Sequence, residues 1–206
     1  MQAIVFDMDG TLFDSTACVT AAFREAVVAA GGRDYSAADV VAAYRLGPPA
    51  VILEHLLGRP ATNDDEDAYL ALLRVHQDLI LVYDGIPELL AAMVSASVPI
   101  ALFTGASTAV ARQLLGGTRL LGRFSAVVGG DEVARPKPQP DGILLACARL
   151  GFPPGSTAYV GDSPLDMEAA RRSGALGIGA AWGHLFDPSE PCDLIAGLPR
   201  DLLSLV

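Results

Sequence analysis

Cysteine, positive charge and long apolar runs are all scarce in this chain of 206 residues, and each scarcity removes a class of protein. The three cysteines, Cys18, Cys147 and Cys192, lie far apart. An odd, scattered set is neither a disulfide framework nor a cysteine metal cage, so a reducing, cytoplasmic setting is the expectation. Lys and Arg number 14 against 24 Asp and Glu, a net charge of −10. That sign argues against nucleic-acid backbones and anionic membrane surfaces as partners. A small anionic substrate stays open, because a metal ion or a few local cations reverse the sign inside a cleft. Apolar stretches are broken by charge or glycine within about a dozen residues, short of a membrane span. The opening MQAIVFDMDG has no basic segment and meets charge after six residues, which does not suit a secretory signal. Repeats and low-complexity tracts are also missing.

What is present suits a packed core: 51% hydrophobic residues against 18% charged. Short apolar runs recur at residues 2–6, in PIALF before Thr104, SAVV before Gly129, AYV before Gly161 and ALGIGAAW before Gly183. Runs apolar on both faces, separated by helical or loop stretches, predict an α/β protein with a parallel sheet covered by helices on both sides. Residues 14–84 break that rhythm with four predicted helices. Ser15 is placed to cap the first, which stops at Gly31-Gly32. Ser36 and Asp39 form a capping-box pattern for the second, which ends near Gly47, where glycine permits a left-handed helix end. Pro48-Pro49 opens the third, stopped by Gly58. Thr62 opens the fourth, with Asp64 to Asp67 as a solvated acidic start. The expected division is a Rossmann-like core, residues 1–13 and 85–206, and an inserted helical domain, residues 14–84.

In an open α/β sheet, ligands bind beyond the carboxyl ends of the strands. The residues that follow the apolar runs make a consistent set: Asp7, Asp9 and Gly10; Thr104 and Gly105; Lys137 in RPKPQP; and Asp162 with Asp166. Each has a plain structural reading. Asp9-Gly10 suits a turn, Thr104 can cap a helix starting near Ala106, and Lys137 among prolines can be a solvated loop charge. Ser163, Pro164 and Asp166 fit the first positions of a helix. A calcium loop is excluded, since the twelfth position from Asp7 is Cys18 rather than Glu. The joint pattern asks for more. Carboxylates of Asp7 and Asp162, with the Asp9 backbone carbonyl, suit a hard octahedral Mg²⁺ ion. Lys137, the Thr104 hydroxyl and the N–H groups around Gly105 suit phosphoryl oxygens. Phosphoryl transfer asks mainly for position and charge stabilisation, which these residues supply.

Four segments carry a resemblance: DMDGTLFDS at 7–15, FTG at 103–105, RPKPQP at 135–140 and GDSPLDMEAARRSGA at 161–175. With the tail elements Trp182-Gly183 and Cys192 to Ile195, the chain resembles the haloacid-dehalogenase-like hydrolase superfamily over nearly its whole length. Within it the likeness is to helical-cap phosphatases of the phosphoglycolate phosphatase kind. The resemblance implies a Mg²⁺-dependent phosphatase acting on a small phosphorylated metabolite through an aspartyl-phosphate. Asp7 resembles the nucleophile and Asp9 the general acid. Thr104 and Lys137 match phosphate-binding positions, Asp162 a metal-ligand position and Asp166 a supporting acid. Substrate choice falls to the cap, where Arg45, beside Gly47, can grip a carboxylate or second phosphate by bidentate contact; a surface cation at a helix end is the alternative. The second motif reads Thr-Gly where many relatives carry Asn after the hydroxyl residue. Asp9 argues against a dehalogenase, whose leaving group needs no acid. Val19 stands where sugar-phosphate mutases carry His, and no lysine nearby could form a Schiff base. A mutase of the same superfamily and a catalytically idle phosphate-binding relative are the rivals. His55 and His76 show no metal-ligand spacing, and His184, after Trp182-Gly183 at the last strand end, is read as a loop residue without catalytic duty, with a place on the active-site rim as the alternative. An exposed apolar cap stripe would suit a homodimer.

Overall fold

The structure, a computed structural model, describes residues 1–205. In chain order, β1 (Ala3–Phe6) and β2 (Phe13–Asp14) precede four helices: α1 (Thr16–Ala29), α2 (Ala37–Ala43), α3 (Pro49–Leu57) and α4 (Asn63–Val75). Then come β3 (Leu81–Val82), α5 (Ile86–Ser95), β4 (Ile100–Phe103), α6 (Thr108–Gly117) and β5 (Ala126–Val128). The chain closes with α7 (Asp141–Leu150), β6 (Thr157–Gly161), α8 (Pro164–Ser173), β7 (Leu176–Ala180) and β8 (Leu194–Ala196). It divides into two compact units, Met1–Asp14 with the chain from Val82 onward, and Ser15–Leu81. The short strands β2 and β3 pair with each other where the chain passes from one unit to the other.

The first unit is built on a six-stranded sheet in the order β5-β4-β1-β6-β7-β8, parallel throughout. Five of its strands grow from the five apolar runs. The sixth, β8, escaped the sequence reading: three residues on a sheet edge, two of them exposed, leave no periodic signal. On one face Val5, Ala101, Phe103, Val128 and Tyr159 pack with Ile143, Ala146 and Cys147 of α7 and Ala169 and Ala170 of α8. The intervening residues Ile4, Phe6, Leu102, Ala158 and Val160 are buried as well, on the other face by the two-residue period. Burial on both faces is why these runs lack alternation. Strand order proceeds outward from β1 in both directions, and such a reversal is where open sheets leave a crevice for ligands.

In the second unit α1 packs against α2, α3 and α4, with the Phe23 and Tyr69 rings stacked at 4.2 Å. The capping box expected at Ser36/Asp39 forms, a second one not read from the sequence forms at Thr62/Asp65, and Gly58 stops α3 in the left-handed conformation. Three local expectations need correction. Ser15 occupies the N-cap position of α1, but its ψ of 1° is not the extended backbone that folds a side chain back, and its hydroxyl caps nothing. Asp65 is not a solvated charge: it is buried, and Arg59 grips both its oxygens at 2.7 and 3.0 Å. Gly47 is not a left-handed helix end. The α2 helix finishes at Ala43 and a 3₁₀ turn follows over Tyr44–Leu46. Gly47 then takes φ +127°, ψ −140°, a region open to glycine alone. No helix among the described residues is long and apolar enough to cross a membrane.

Candidate active site

The parallel ladder determines where the acidic side chains emerge. Phe6 is in register with Leu102 of β4 and Val160 of β6, and the Asp7 amide donates to the Val160 carbonyl at 2.8 Å. Continuing that register sets Asp7 beside the strand end that leads into Thr104 and the one that leads into Asp162. Lys137 arrives from the loop between β5 and α7. Its ammonium stands 2.6 Å from Asp7 Oδ1 and 2.7 Å from Asp166 Oδ1, with the side chain 13% exposed. The reading of Lys137 as a solvated loop charge is therefore wrong. Its loop turns inward because two buried carboxylates demand a cation.

Asp166 serves two structures at once, one with each oxygen. Its Oδ2 accepts from the Ser163 amide at 3.0 Å and the Ser163 hydroxyl at 2.6 Å, completing the capping box of α8. Its Oδ1 accepts from Lys137 and from the Tyr159 hydroxyl at 2.9 Å. The helix-capping and supporting-acid readings of Asp166 thus both describe it. Tyr159, fully buried on β6 and also 3.2 Å from the Lys137 ammonium, escaped the sequence reading. The available signal was its hydroxyl, the single polar group within the run AYV.

One ammonium shared by two buried carboxylates does not serve them equally. Burial raises the pKa of Asp166, but the Lys137 charge and the Ser163 hydrogen bonds outweigh it and hold the group below its ordinary value. Burial pushes Asp7 well up; Lys137 opposes this, while the charges of Asp166 and Asp162 reinforce it. Burial weakens the Lys137 ammonium, yet Asp166 and Asp7 together raise its pKa well above normal, so it stays charged. Burial, then Asp166, raises the Tyr159 phenol, which remains a neutral donor.

Asp162 is held by its surroundings more than by donors. Its Oδ2 accepts from the Leu185 amide at 3.0 Å, while Oδ1 is buried with no partner among the described residues. Gly10 and Gly183 leave the room that its carboxylate occupies. A Cβ on Gly10, whose φ is +83°, would stand 2.2 Å from Asp162 Oδ2, and one on Gly183 would stand 2.2 Å from the Asp162 Cβ. Burial, then the Asp166 charge, raises the Asp162 pKa to about 7. Oxygens of Asp7, Asp162 and Asp166 all lie within 4.8 Å of one another. Three carboxylates facing one ammonium, with a buried oxygen still lacking a partner, make a donor set that fits a hard divalent cation. Asp166 already accepts four hydrogen bonds, so Asp7 and Asp162 are the carboxylates with capacity for a metal. The Asp9 carboxylate is not part of this triad; Asp9 sits in the turn closed by Gly10 and Phe13.

Thr104 is buried at the end of β4 and accepts from the Ala106 amide at 3.2 Å. It does not cap the next helix: α6 begins at Thr108, and Ser107 caps it. A Cβ on Gly105, the next residue, would meet open space. Arg45 and Gly47 belong to the helical unit, with Arg45 exposed. Of the histidines, His55 is exposed and His76 pairs with Glu25 at 3.0 Å. His184 is half-buried; burial lowers its pKa, against the charges of Asp14 and Asp9.

A family model described as haloacid dehalogenase-like hydrolase matches residues 1–174. An N-acetylmuramic acid 6-phosphate phosphatase of Pseudomonas aeruginosa is 30% identical over 215 residues, covering 100% of this chain and 95% of that protein. A phosphoglycolate phosphatase of Escherichia coli K12 is 29% identical over 231 residues, covering 98% and 91%. The solved structure of a putative phosphoglycolate phosphatase from Lactobacillus plantarum superposes with a TM-score of 0.86 at 24% identity, covering 100% of this chain and 99% of that one. The fold is shared likewise with a mutant of CbbY from Rhodobacter sphaeroides, solved in complex with xylulose-(1,5)bisphosphate, at a TM-score of 0.86 and 23% identity, covering 98% and 96%.

Proposed function

This chain belongs to the haloacid dehalogenase-like hydrolase family, and we propose that it hydrolyses phosphate monoesters of small metabolites with Mg²⁺ and an aspartyl-phosphate intermediate. The observation that carries the reading is the buried cluster of Asp7, Lys137, Asp166 and Asp162, with one oxygen of Asp162 left without a partner among the described residues. Asp7 and Asp162, with the Asp9 backbone carbonyl, would hold the ion, which when bound neutralises phosphate and carboxylate charge so that two anions can approach. Phosphate-ester relatives such as the P. aeruginosa and E. coli phosphatases support the substrate class. Cys18, Cys147 and Cys192 are not joined in disulfides among the described residues, which suits a reducing compartment.

The residues divide the work as follows. An Asp7 carboxylate oxygen attacks phosphorus, and the ester P–O bond breaks. Asp9 gives its proton to the departing alkoxide. The Asp9 carboxylate then takes a proton from water as the water oxygen attacks phosphorus, which frees inorganic phosphate and restores Asp7. The Lys137 ammonium, the Thr104 hydroxyl and the amide at Gly105 hold the other phosphoryl oxygens in place. Asp166, with Tyr159 and Ser163 behind it, keeps Lys137 charged and aimed. In the helical unit Arg45, beside Gly47, is the group we assign to substrate choice, since a guanidinium suits a carboxylate or second phosphate on the substrate.

The test is phosphate release from a panel of about a hundred metabolite esters, with Mg²⁺ and with EDTA, using wild type and Asp7→Asn. Wild type should release phosphate in Mg²⁺ alone. Asp7→Asn should lose turnover by at least about 10³-fold while keeping its circular dichroism spectrum. Retained turnover in Asp7→Asn would refute the nucleophile assignment.

A further inference from the structure

The chain contains one tryptophan, Trp182, just past β7. Its indole Nε1 donates to the Thr11 carbonyl at 2.9 Å. Thr11 lies two residues beyond Asp9, inside a tight turn where the Met8 carbonyl accepts from the amides of Thr11, Leu12 and Phe13. The Tyr83 amide holds the same turn by donating to the Leu12 carbonyl at 3.1 Å. The Thr11 hydroxyl is buried without a partner among the described residues, so that side chain anchors nothing there. The residue after Trp182 is in contact with the same region. A Cβ on Gly183 would stand 2.5 Å from both the Gly10 carbonyl and Asp162 Oδ2. One dipeptide therefore holds the Asp9–Thr11 turn through Trp182 and lies close against the Asp162 carboxylate at Gly183.

We infer that Trp182 is a positioning residue for the acid step: its N–H holds the Asp9–Thr11 turn in the conformation that aims the Asp9 carboxyl at the leaving oxygen. A half-buried indole N–H must find an acceptor, and a carbonyl at the centre of the turn offers one that no phenylalanine could use. Loss of the bond frees the turn by a fraction of an ångström, which is enough to impair proton delivery. The inference rests on Asp9 being the general acid.

Leaving-group chemistry isolates that step. An alkoxide needs a proton to depart, whereas p-nitrophenolate leaves nearly unaided. The perturbation replaces Trp182 by β-(3-benzothienyl)alanine in a tryptophan auxotroph, putting sulfur where the N–H stood and changing a single site. Trp182→Phe is the second variant, and Asp9→Asn is the reference. The substrates are p-nitrophenyl phosphate and whichever of 2-phosphoglycolate and N-acetylmuramic acid 6-phosphate wild type turns over faster. For both Trp182 variants, kcat/KM on the alkyl ester, which reports the steps up to departure of the alkoxide and not the later hydrolysis common to both esters, should fall about tenfold, while kcat/KM on p-nitrophenyl phosphate stays within about twofold. Asp9→Asn should show the same bias more strongly. If Asp9→Asn discriminates between the esters in kcat/KM and the Trp182 variants lower kcat/KM on both equally or on neither, the positioning role is refuted. If Asp9→Asn lowers kcat/KM on both esters equally, the acid assignment fails and takes this inference with it. A wild type inert on every ester overturns the phosphatase reading itself.

Discussion

Replacing Lys137 with methionine keeps an unbranched apolar stem but withdraws an ammonium lying 2.6 Å from Asp7 and 2.7 Å from Asp166. Both acids are buried, at 5% and 1% exposure, so neither can turn to water for compensation. Removing one partner of a buried ion pair costs about 3–5 kcal/mol, because a charge is left behind in a poorly polarisable site. The cost must depend on pH, and its sign follows from Asp166. In wild type the folded pKa of Asp166 is depressed, so its stabilisation is present above the unfolded value and is lost as pH falls. Without Lys137 the effect of burial has no comparable opponent, and the folded pKa rises above the unfolded one. The variant then gains stability as pH falls through that raised value, which is the reverse trend. The deficit relative to wild type should be about 3–5 kcal/mol at pH 8 and less than about half of that at pH 5. Urea unfolding followed by circular dichroism in EDTA, at both pH values, measures it. Phosphate release should fall at least about a hundredfold, with no recovery at high Mg²⁺. A deficit below about 1 kcal/mol at pH 8, or equal deficits at the two pH values, would refute the shared-cation argument.

Two further outcomes follow from the Asp162 pocket. Gly10→Ala puts a methyl group 2.2 Å from Asp162 Oδ2 at a φ of +83°. It should cost at least about 2 kcal/mol in urea unfolding and abolish activation by Mg²⁺; wild-type stability with full activation would show the pocket to be looser than described. Asp162 titrates at about 7, raised by burial and then by Asp166. A folded pKa above the unfolded one means this group's contribution to stability is lost as pH rises through 7, and a bound cation restores it. The Mg²⁺-induced rise in melting temperature should therefore be larger at pH 8 than at pH 6, and the apparent Mg²⁺ affinity should fall by up to about tenfold per pH unit below 7. Equal shifts at the two pH values would contradict this.

The segments that read well from sequence are those whose causes are local. The capping box at Ser36 and the helix start at Ser163 and Asp166 each close within three residues, and the doubly buried strands announce themselves by composition. From strands alone it follows that Asp7, Thr104 and Asp162 sit at carboxyl ends, because a parallel sheet brings those ends to one edge. Where local signals were weak or misleading, the reading failed: β8 was too short to notice, Ser15 had a cap residue's chemistry without its backbone, and Asp65 looked solvated until Arg59 was seen on it.

Order along the chain was enough to specify the strands, their helices and the acids at their ends, since hydrogen-bond periodicity and apolar burial act over a few residues. Which acids share a cation was not determined there. Lys137 meets Asp7 across 130 residues, Tyr159 joins them from the middle of an apolar strand, and Trp182 reaches Thr11 across 171. Coulomb energy and desolvation depend on ångströms and on the medium between groups, and those quantities exist only once the chain has folded.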